Sequence, residues 1–208
     1  MQKRGTTLSS NPNVLILSGF LGSGKTTILL QLIEHLRTKY GADYRIAIIE
    51  NEVGSASVDS ETIAEAGYSV TEMLSGCVCC TLIGQLVPAI RKLTEELNPQ
   101  LIILEATGMA TPGSMRDNIE RYGECPVRVV TLVDASRWQR ILLALRILLE
   151  GQLECADVIC VNKCDLATDC QLNDVDATVR EMNASAPIVH VSALSPMSAA
   201  DLDAIAGK

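Results

Sequence analysis

The chain has no excess of basic residues. Seventeen lysines and arginines stand against 25 aspartates and glutamates, giving a net charge of −8, so composition supplies no phosphate-neutralising surface and excludes nucleic acid as an expected partner. It also lacks a long apolar run. The strongest, residues 141–149, is interrupted by Arg146 and falls far short of the roughly 20 residues a spanning helix needs, so no membrane partner is expected. A secretory leader is not evident either: residues 1–12 are polar, and the apolar stretch 14–17 behind them is shorter than an h-region of about 7–15 residues. The expected location is the cytoplasm. No internal repeat and no low-complexity linker divides the sequence.

What is present is 208 residues, 48% hydrophobic and 20% charged, enough for one sizeable core and too little for two ordinary domains. Residues 1–12 read as a flexible arm and 13–208 as a single domain. Short β-branched runs alternate with longer helical patterns, the signature of an α/β fold with a mostly parallel sheet, here expected as three layers of helix, sheet and helix. Strands are predicted over 13–17, 44–50, 101–105, 127–133, 158–162 and 188–192, with another around 68–73. Leu29, Leu32, Ile33 and Leu36 recur at helical spacing, as do Leu82, Leu86, Ile90, Leu93 and Leu97, so each helix buries one face. Pro88 lies inside the second pattern and predicts a kink or restart, because proline has no N–H to donate. Residues 141–149 are apolar on nearly every side; burial within the domain is the expected reason and a protein interface the alternative.

Gly19-Phe-Leu-Gly-Ser-Gly-Lys-Thr26 falls between the first predicted strand and the first helix, with the spacing G-x-x-x-x-G-K-[ST]. Its glycines let the backbone around Gly22, Ser23 and Gly24 turn successive N–H groups toward phosphate oxygens, and the helix N-terminus adds positive potential. Lys25 can reach the β- and γ-phosphates, Thr26 can ligate Mg²⁺, and Thr27 is available to the α-phosphate. Asn162-Lys163-Cys164-Asp165 follows the strand 158–162 and reads N-K-x-D. The Asp165 carboxylate can accept hydrogen bonds from guanine N1–H and N2, a donor pair adenine does not offer; this selects GTP and argues against an ATP-using small-molecule kinase. Asn162 and Lys163 would brace the loop and stack on the base. Ser192, Ala193 and Leu194, after the last strand, could supply a backbone N–H to guanine O6.

Leu101-Ile-Ile-Leu-Glu-Ala-Thr-Gly108 is a buried strand ending in an acidic residue and a glycine. Glu105 stands where a Walker B carboxylate would, placed to hold a Mg²⁺-bound water or orient the attacking one, and Gly108 could donate its N–H to the γ-phosphate. Gly76-Cys-Val-Cys-Cys80 puts three thiols within four residues. Thiolates suit soft or borderline ions such as Zn²⁺, and a fourth ligand, a carboxylate being the obvious candidate, would close the coordination. Redox pairing of these cysteines is the alternative. Cys125, Cys155, Cys160, Cys164 and Cys170 read as small apolar or incidental residues, and His35 and His190 as structural.

Taken together, residues 19–27, Glu50-Asn51-Glu52-Val53-Gly54, Gly76 to Cys80, Glu105 to Gly108 and Asn162 to Asp165 resemble the CobW-type GTPases, relatives of the nickel-enzyme maturation GTPases HypB and UreG. The resemblance covers nearly the whole chain and implies a P-loop NTPase fold and a zinc or cobalt metallochaperone that serves a client metalloenzyme or corrinoid protein. It assigns the metal loop to Cys77, Cys79 and Cys80, gives Glu50 as a metal-binding carboxylate, and places Glu52 and Asp59 in a switch segment sensing nucleotide and Mg²⁺. Family members often carry a further glutamate where this chain has Ser55. The C-terminal domain of many members, and their histidine-rich tracts, have no counterpart in these 208 residues.

The expected mechanism is that Mg²⁺–GTP draws the segment from Glu50 to Asp59 toward the γ-phosphate, changes the geometry of a metal on the cysteine loop, and on hydrolysis to GDP releases it. No arginine finger or water-positioning glutamine is evident in the motifs, so intrinsic hydrolysis is expected to be slow, on the order of 10⁻⁴–10⁻² s⁻¹, until a partner, a metal or a homodimer accelerates it. Two other readings of the same motifs are a GTPase chaperone that activates or reactivates a metalloenzyme without transferring a metal, and a thiol-redox sensor.

Overall fold

A computed structural model describes residues 11–41, 43–50, 69–72 and 81–208, with the backbone alone at positions 50, 69–72 and 81–83. Seven strands form one sheet: β1 (Asn13–Gly19), β2 (Ile46–Glu50), β3 (Ser69–Glu72), β4 (Leu101–Glu105), β5 (Val127–Asp134), β6 (Val158–Asn162) and β7 (Ile188–His190). Their order across the sheet is β3-β2-β4-β1-β5-β6-β7, and every neighbouring pair is parallel. The helices are α1 (Lys25–Tyr40), α2 (Thr81–Leu97), α3 (Pro112–Asn118), α4 (Trp138–Leu153), α5 (Asp169–Met182) and α6 (Ala199–Ala206).

A parallel sheet needs both faces covered, and period-two alternation of side chains supplies two apolar faces from one strand. In β1, Leu15 and Leu17 join the core beneath α1 and α6, where Ile28, Leu29, Leu32, Ile33 and Leu36 are fully buried. Val14 and Ile16 join the opposite core under α2 and α3, and on that same face α4 and α5 pack over Ile159 and Val161 of β6. Each such aliphatic side chain contributes about 1.5–3 kcal/mol of burial free energy. The result is the expected three-layer arrangement.

Of the two outcomes expected at Pro88, a kink or a restart, the restart does not occur: α2 runs as one helix from Thr81 to Leu97. The carbonyl deprived of its donor belongs to Gly84, four residues earlier, and Gly84 is exposed, so water can serve it. The apolar run on α4 is buried at its far end only, where Leu149 is in the core; residues 143–147 are exposed, with Leu143 and Ile147 each at 86%. Leu145 leaves helical geometry (φ −138°, ψ 33°), so the wheel that would have turned these side chains inward is broken in its middle. No helix among the described residues is long and apolar enough to cross a membrane.

β1 has β4 on one side and β5 on the other, although β2 and β3 intervene in the chain. Strand order therefore reverses at β1, and ligands of open α/β sheets bind at the carboxyl ends of strands at such a point. The segment that leaves β1 there is the glycine-rich loop.

Candidate functional site

The glycine-rich loop is shaped by backbone that only glycine adopts readily. Gly19, Gly22 and Gly24 have φ of 135°, 72° and 98°. Gly24 caps α1 with no side-chain hydrogen bond, and the first turn of that helix holds no acidic residue, which leaves its N-terminal N–H groups to an anion. Lys25 is buried and its Nζ donates to the Gly19 carbonyl at 3.2 Å, which lays the ammonium back across the loop.

Asn162 ties three loops together. It is 2% exposed; its Nδ2 donates to the Ser23 carbonyl at 2.7 Å, and its Oδ1 accepts from Lys163 N–H at 2.7 Å and Ala193 N–H at 2.9 Å. One side chain thus joins the phosphate loop, the N-K-x-D turn and the Ser192-Ala193-Leu194 turn. The packing is close enough that a Cβ on Gly24 would lie 2.2 Å from Asn162 Nδ2. Since the Ala193 N–H is engaged by Asn162, the next donor in that turn is the N–H of Leu194, whose side chain is 88% exposed. Lys163 holds a left-handed backbone, φ 63°, a conformation costing a non-glycine residue about 1–2 kcal/mol. Asp165 is exposed on the 3₁₀ turn Cys164–Leu166.

At the start of α1, Thr26 Oγ1 donates to Glu105, at 3.2 Å from Oε1 and 3.4 Å from Oε2. A hydroxyl and a carboxylate 79 residues apart in the chain therefore meet beneath the loop. Hard oxygen donors of this kind suit Mg²⁺. Gly108 presses against the tip of the glycine-rich loop: a Cβ there would lie 2.8 Å from Leu21 N and 3.4 Å from Phe20 backbone atoms. Register aligns Glu50 of β2 with Glu105 of β4 on one side and with Glu72 of β3 on the other. Glu52, Asp59, Cys77, Cys79 and Cys80 lie outside the described residues, and among the described residues no group of three or more His, Cys, Asp or Glu is placed to hold a metal.

Sequence reasoning missed three residues that organise this site. Asp134, 2% exposed at the end of β5, accepts from Lys163 Nζ and Arg137 Nε, each at 2.7 Å, and from the Ser136 hydroxyl. Burial alone would raise its pKa, but the bonds from Lys163, Ser136 and Arg137 outweigh that and hold the carboxyl below the usual range. Arg137 donates through Nη2 to the Leu21 carbonyl at 2.8 Å, so an arginine that no motif announced stands at the tip of the phosphate loop. Gln31 of α1 donates to the carbonyls of Ala193 and Ser195, at 2.7 and 3.1 Å, and accepts from Met197 N–H at 2.8 Å. The available signal was topological: β5 neighbours β1, so the turn after Asp134 has to lie beside the glycine-rich loop.

Cys125 and Cys160 are buried and Cys155 and Cys164 partly so, while Cys170 is exposed; both histidines pair with a carboxylate. Burial pushes the Cys160 thiol up to about 12 and raises Cys125, Cys155 and Cys164, which keeps them protonated and inert. His35 pairs with Asp203 at 2.7 Å and His190 with Asp176 at 2.9 Å.

Residues 13–190 match the family model described as CobW/HypB/UreG, nucleotide-binding domain. The zinc chaperone YjiA of Escherichia coli (strain K12) is 31% identical over 189 residues, covering 86% of this chain and 57% of that protein. The zinc-regulated GTPase metalloprotein activator 1 of Dictyostelium discoideum is 29% identical over 222 residues, covering 85% of this chain and 45% of its own. The chain thus spans about half the length of the curated relatives it matches. Among solved structures, HypB from Archaeoglobus fulgidus superposes with a TM-score of 0.70 at 18% identity, covering 95% of this chain and 90% of that one, a likeness of fold.

Proposed function

Because the chain belongs to the CobW/HypB/UreG family of nucleotide-binding domains, we propose that it binds GTP, hydrolyses it slowly to GDP and phosphate, and uses the nucleotide to govern a zinc or cobalt ion. The ion would be held by Cys77, Cys79 and Cys80 with Glu50 and delivered to a client metalloenzyme or corrinoid protein. The observation that carries this reading is the Asn162 cross-brace, which assembles phosphate loop, guanine-reading turn and Ser192-Ala193-Leu194 turn into one cradle.

In that cradle the N–H groups of Gly22 and Gly24 and the ammonium of Lys25 take the phosphate charge, joined by the Ser23 N–H on leaving the Phe20 carbonyl, to which it donates at 3.0 Å, and Thr27 meets the α-phosphate. Asp165 takes the guanine edge, with Lys163 packed along the ring. Thr26 and Glu105 are the oxygen pair that would hold a Mg²⁺ ion, with Asp59 as a third, and the ion would supply charge neutralisation at the phosphates. Water attacks the γ-phosphorus while the bond to the bridging oxygen of GDP breaks; Glu105 orients that water, and the Gly108 N–H and Lys25 take the growing charge.

The metal half of the reading rests on the three-thiol pattern, whose ligands must deprotonate to bind, and on the zinc-chaperone names of the relatives. Calorimetric titration of Zn²⁺ into the reduced protein, loaded with GDP or a nonhydrolysable GTP analogue, tests it. One tightly bound ion per chain is expected, with affinity differing between the two nucleotide states by about 5–150-fold, and none of this in Cys79→Ser/Cys80→Ser. Equal affinity in both states sinks the coupling, and full zinc binding by the double variant sinks the ligand assignment.

A further inference from the structure

We infer that Gln152 is a positioning residue for the γ-phosphate loop. This rests on the GTPase reading and adds to it a residue that belongs to no nucleotide motif. Gln152 sits near the end of α4 and is wholly buried. Its Nε2 donates both hydrogens to the loop that follows β4, to the Gly108 carbonyl at 3.0 Å and the Ala110 carbonyl at 3.2 Å. Its own backbone is anchored to the sheet, since Thr131 Oγ1 of β5 donates to the Gln152 carbonyl at 2.9 Å. The amide is therefore a strut from the strand beside β1 to the backbone just after Glu105.

Two features mark this strut as more than packing. The Gln152 Oε1 atom has no hydrogen-bond partner among the described residues, and a buried acceptor without one is a standing cost. An apolar side chain of the same shape would avoid that cost, so the economy of the position lies in what Nε2 does. Gly108 is also held on two sides: its carbonyl by Gln152, and its Cα against the backbone of Leu21 and Phe20. With both contacts in place the peptide chain from Thr107 to Ala110 has one path past the phosphate loop. The N–H of Gly108, the group suited to a γ-phosphate oxygen, is aimed by that path. Gln152 touches no nucleotide in this account; it acts through Gly108.

GDP carries no γ-phosphate, so the strut should matter to GTP and not to GDP. A residue needed only for packing would weaken both nucleotides alike. The test measures affinity for GDP and for a nonhydrolysable GTP analogue, with steady-state hydrolysis, in wild type, Gln152→Met and Gln152→Glu. Methionine keeps the volume and removes both donors; a glutamate buried against two carbonyls takes up a proton and offers one donor in place of two. The expected result is GDP affinity within about twofold of wild type, analogue affinity about tenfold weaker in Gln152→Met and less so in Gln152→Glu, which keeps one donor, and kcat lowered in the same order. An unchanged ratio of analogue to GDP affinity in either folded variant overturns the inference, as does loss of the cooperative thermal transition in both, which would make the residue purely structural. Failure of the wild-type protein to bind either nucleotide would instead remove the GTPase reading itself.

Discussion

The end of the cradle proposed to read guanine and the end proposed to face the γ-phosphate are held by different kinds of contact. At the base end, Asn162, Gln31 and Asp134 each gather several backbone or side-chain partners from separate loops. At the γ-phosphate end the chain passes backbone against backbone, Gly108 on Leu21, with the Gln152 amide behind it. The first arrangement has many bonds that must break together and is preformed. The second has few, so the aim of the Gly108 peptide depends on each of them singly. A switch needs that division: recognition of the base has to be the same in both nucleotide states, while the sensor of the third phosphate has to differ.

The comparison is broken most forcefully at Asn162. Asn162→Ala leaves the Ser23 carbonyl and two buried N–H groups without partners, at about 1–3 kcal/mol each for a buried group. GDP and GTP analogue should lose affinity together, by a hundredfold or more in fluorescence titration, with a lowered Tm; a loss confined to the analogue would contradict the division. Gly108→Ala strikes the other end. Its Cβ would lie 2.8 Å from Leu21 N, so the loop must move, and the expected result is about a tenfold loss for the analogue (about 1.4 kcal/mol) with GDP unchanged. The smallest effect is a pH dependence. The folded pKa of Asp134 is depressed, so its contribution to stability is full above the unfolded value of about 3.9 and is lost as pH falls through the lower folded value. Denaturant unfolding of wild type and Asp134→Asn should therefore show a constant gap above about pH 5 that narrows below pH 4; a gap unchanged down to pH 2 would refute the ionic role.

Most of the strands were legible because burial on both faces writes itself as short runs of valine, isoleucine and leucine. Strand β4 spans 101–105 and β6 spans 158–162, as predicted, while β1 extends two residues further and β7 ends two earlier. The glycine-rich loop and N-K-x-D turn were legible because local spacing alone defines them. The supports behind them were not. Gln31 meets Ala193 across 162 residues of sequence, Asn162 meets Ser23 across 139, and Gln152 meets Gly108 across 44; no periodicity encodes which distant carbonyl an amide will face. Asn162 was singled out, but for its neighbours in sequence and not for the loops it joins. The run on α4 misled for a related reason. Apolar composition predicts burial only if the helix is continuous, and Leu145 breaks it.

The register of the parallel sheet has one further consequence. Glu105, Glu50 and Glu72 stand as successive rungs on three adjacent strands, and neighbouring strands are about 4.8 Å apart. The backbone beside Thr26 is thus roughly 10 Å, two strand spacings, from the end of β3, the strand whose chain runs on in sequence toward Cys77. That separation is comparable to the screening length of a physiological salt solution. A charge arriving beside Thr26 would thus act on the far edge of the sheet through two strand spacings alone, with no lever arm between them.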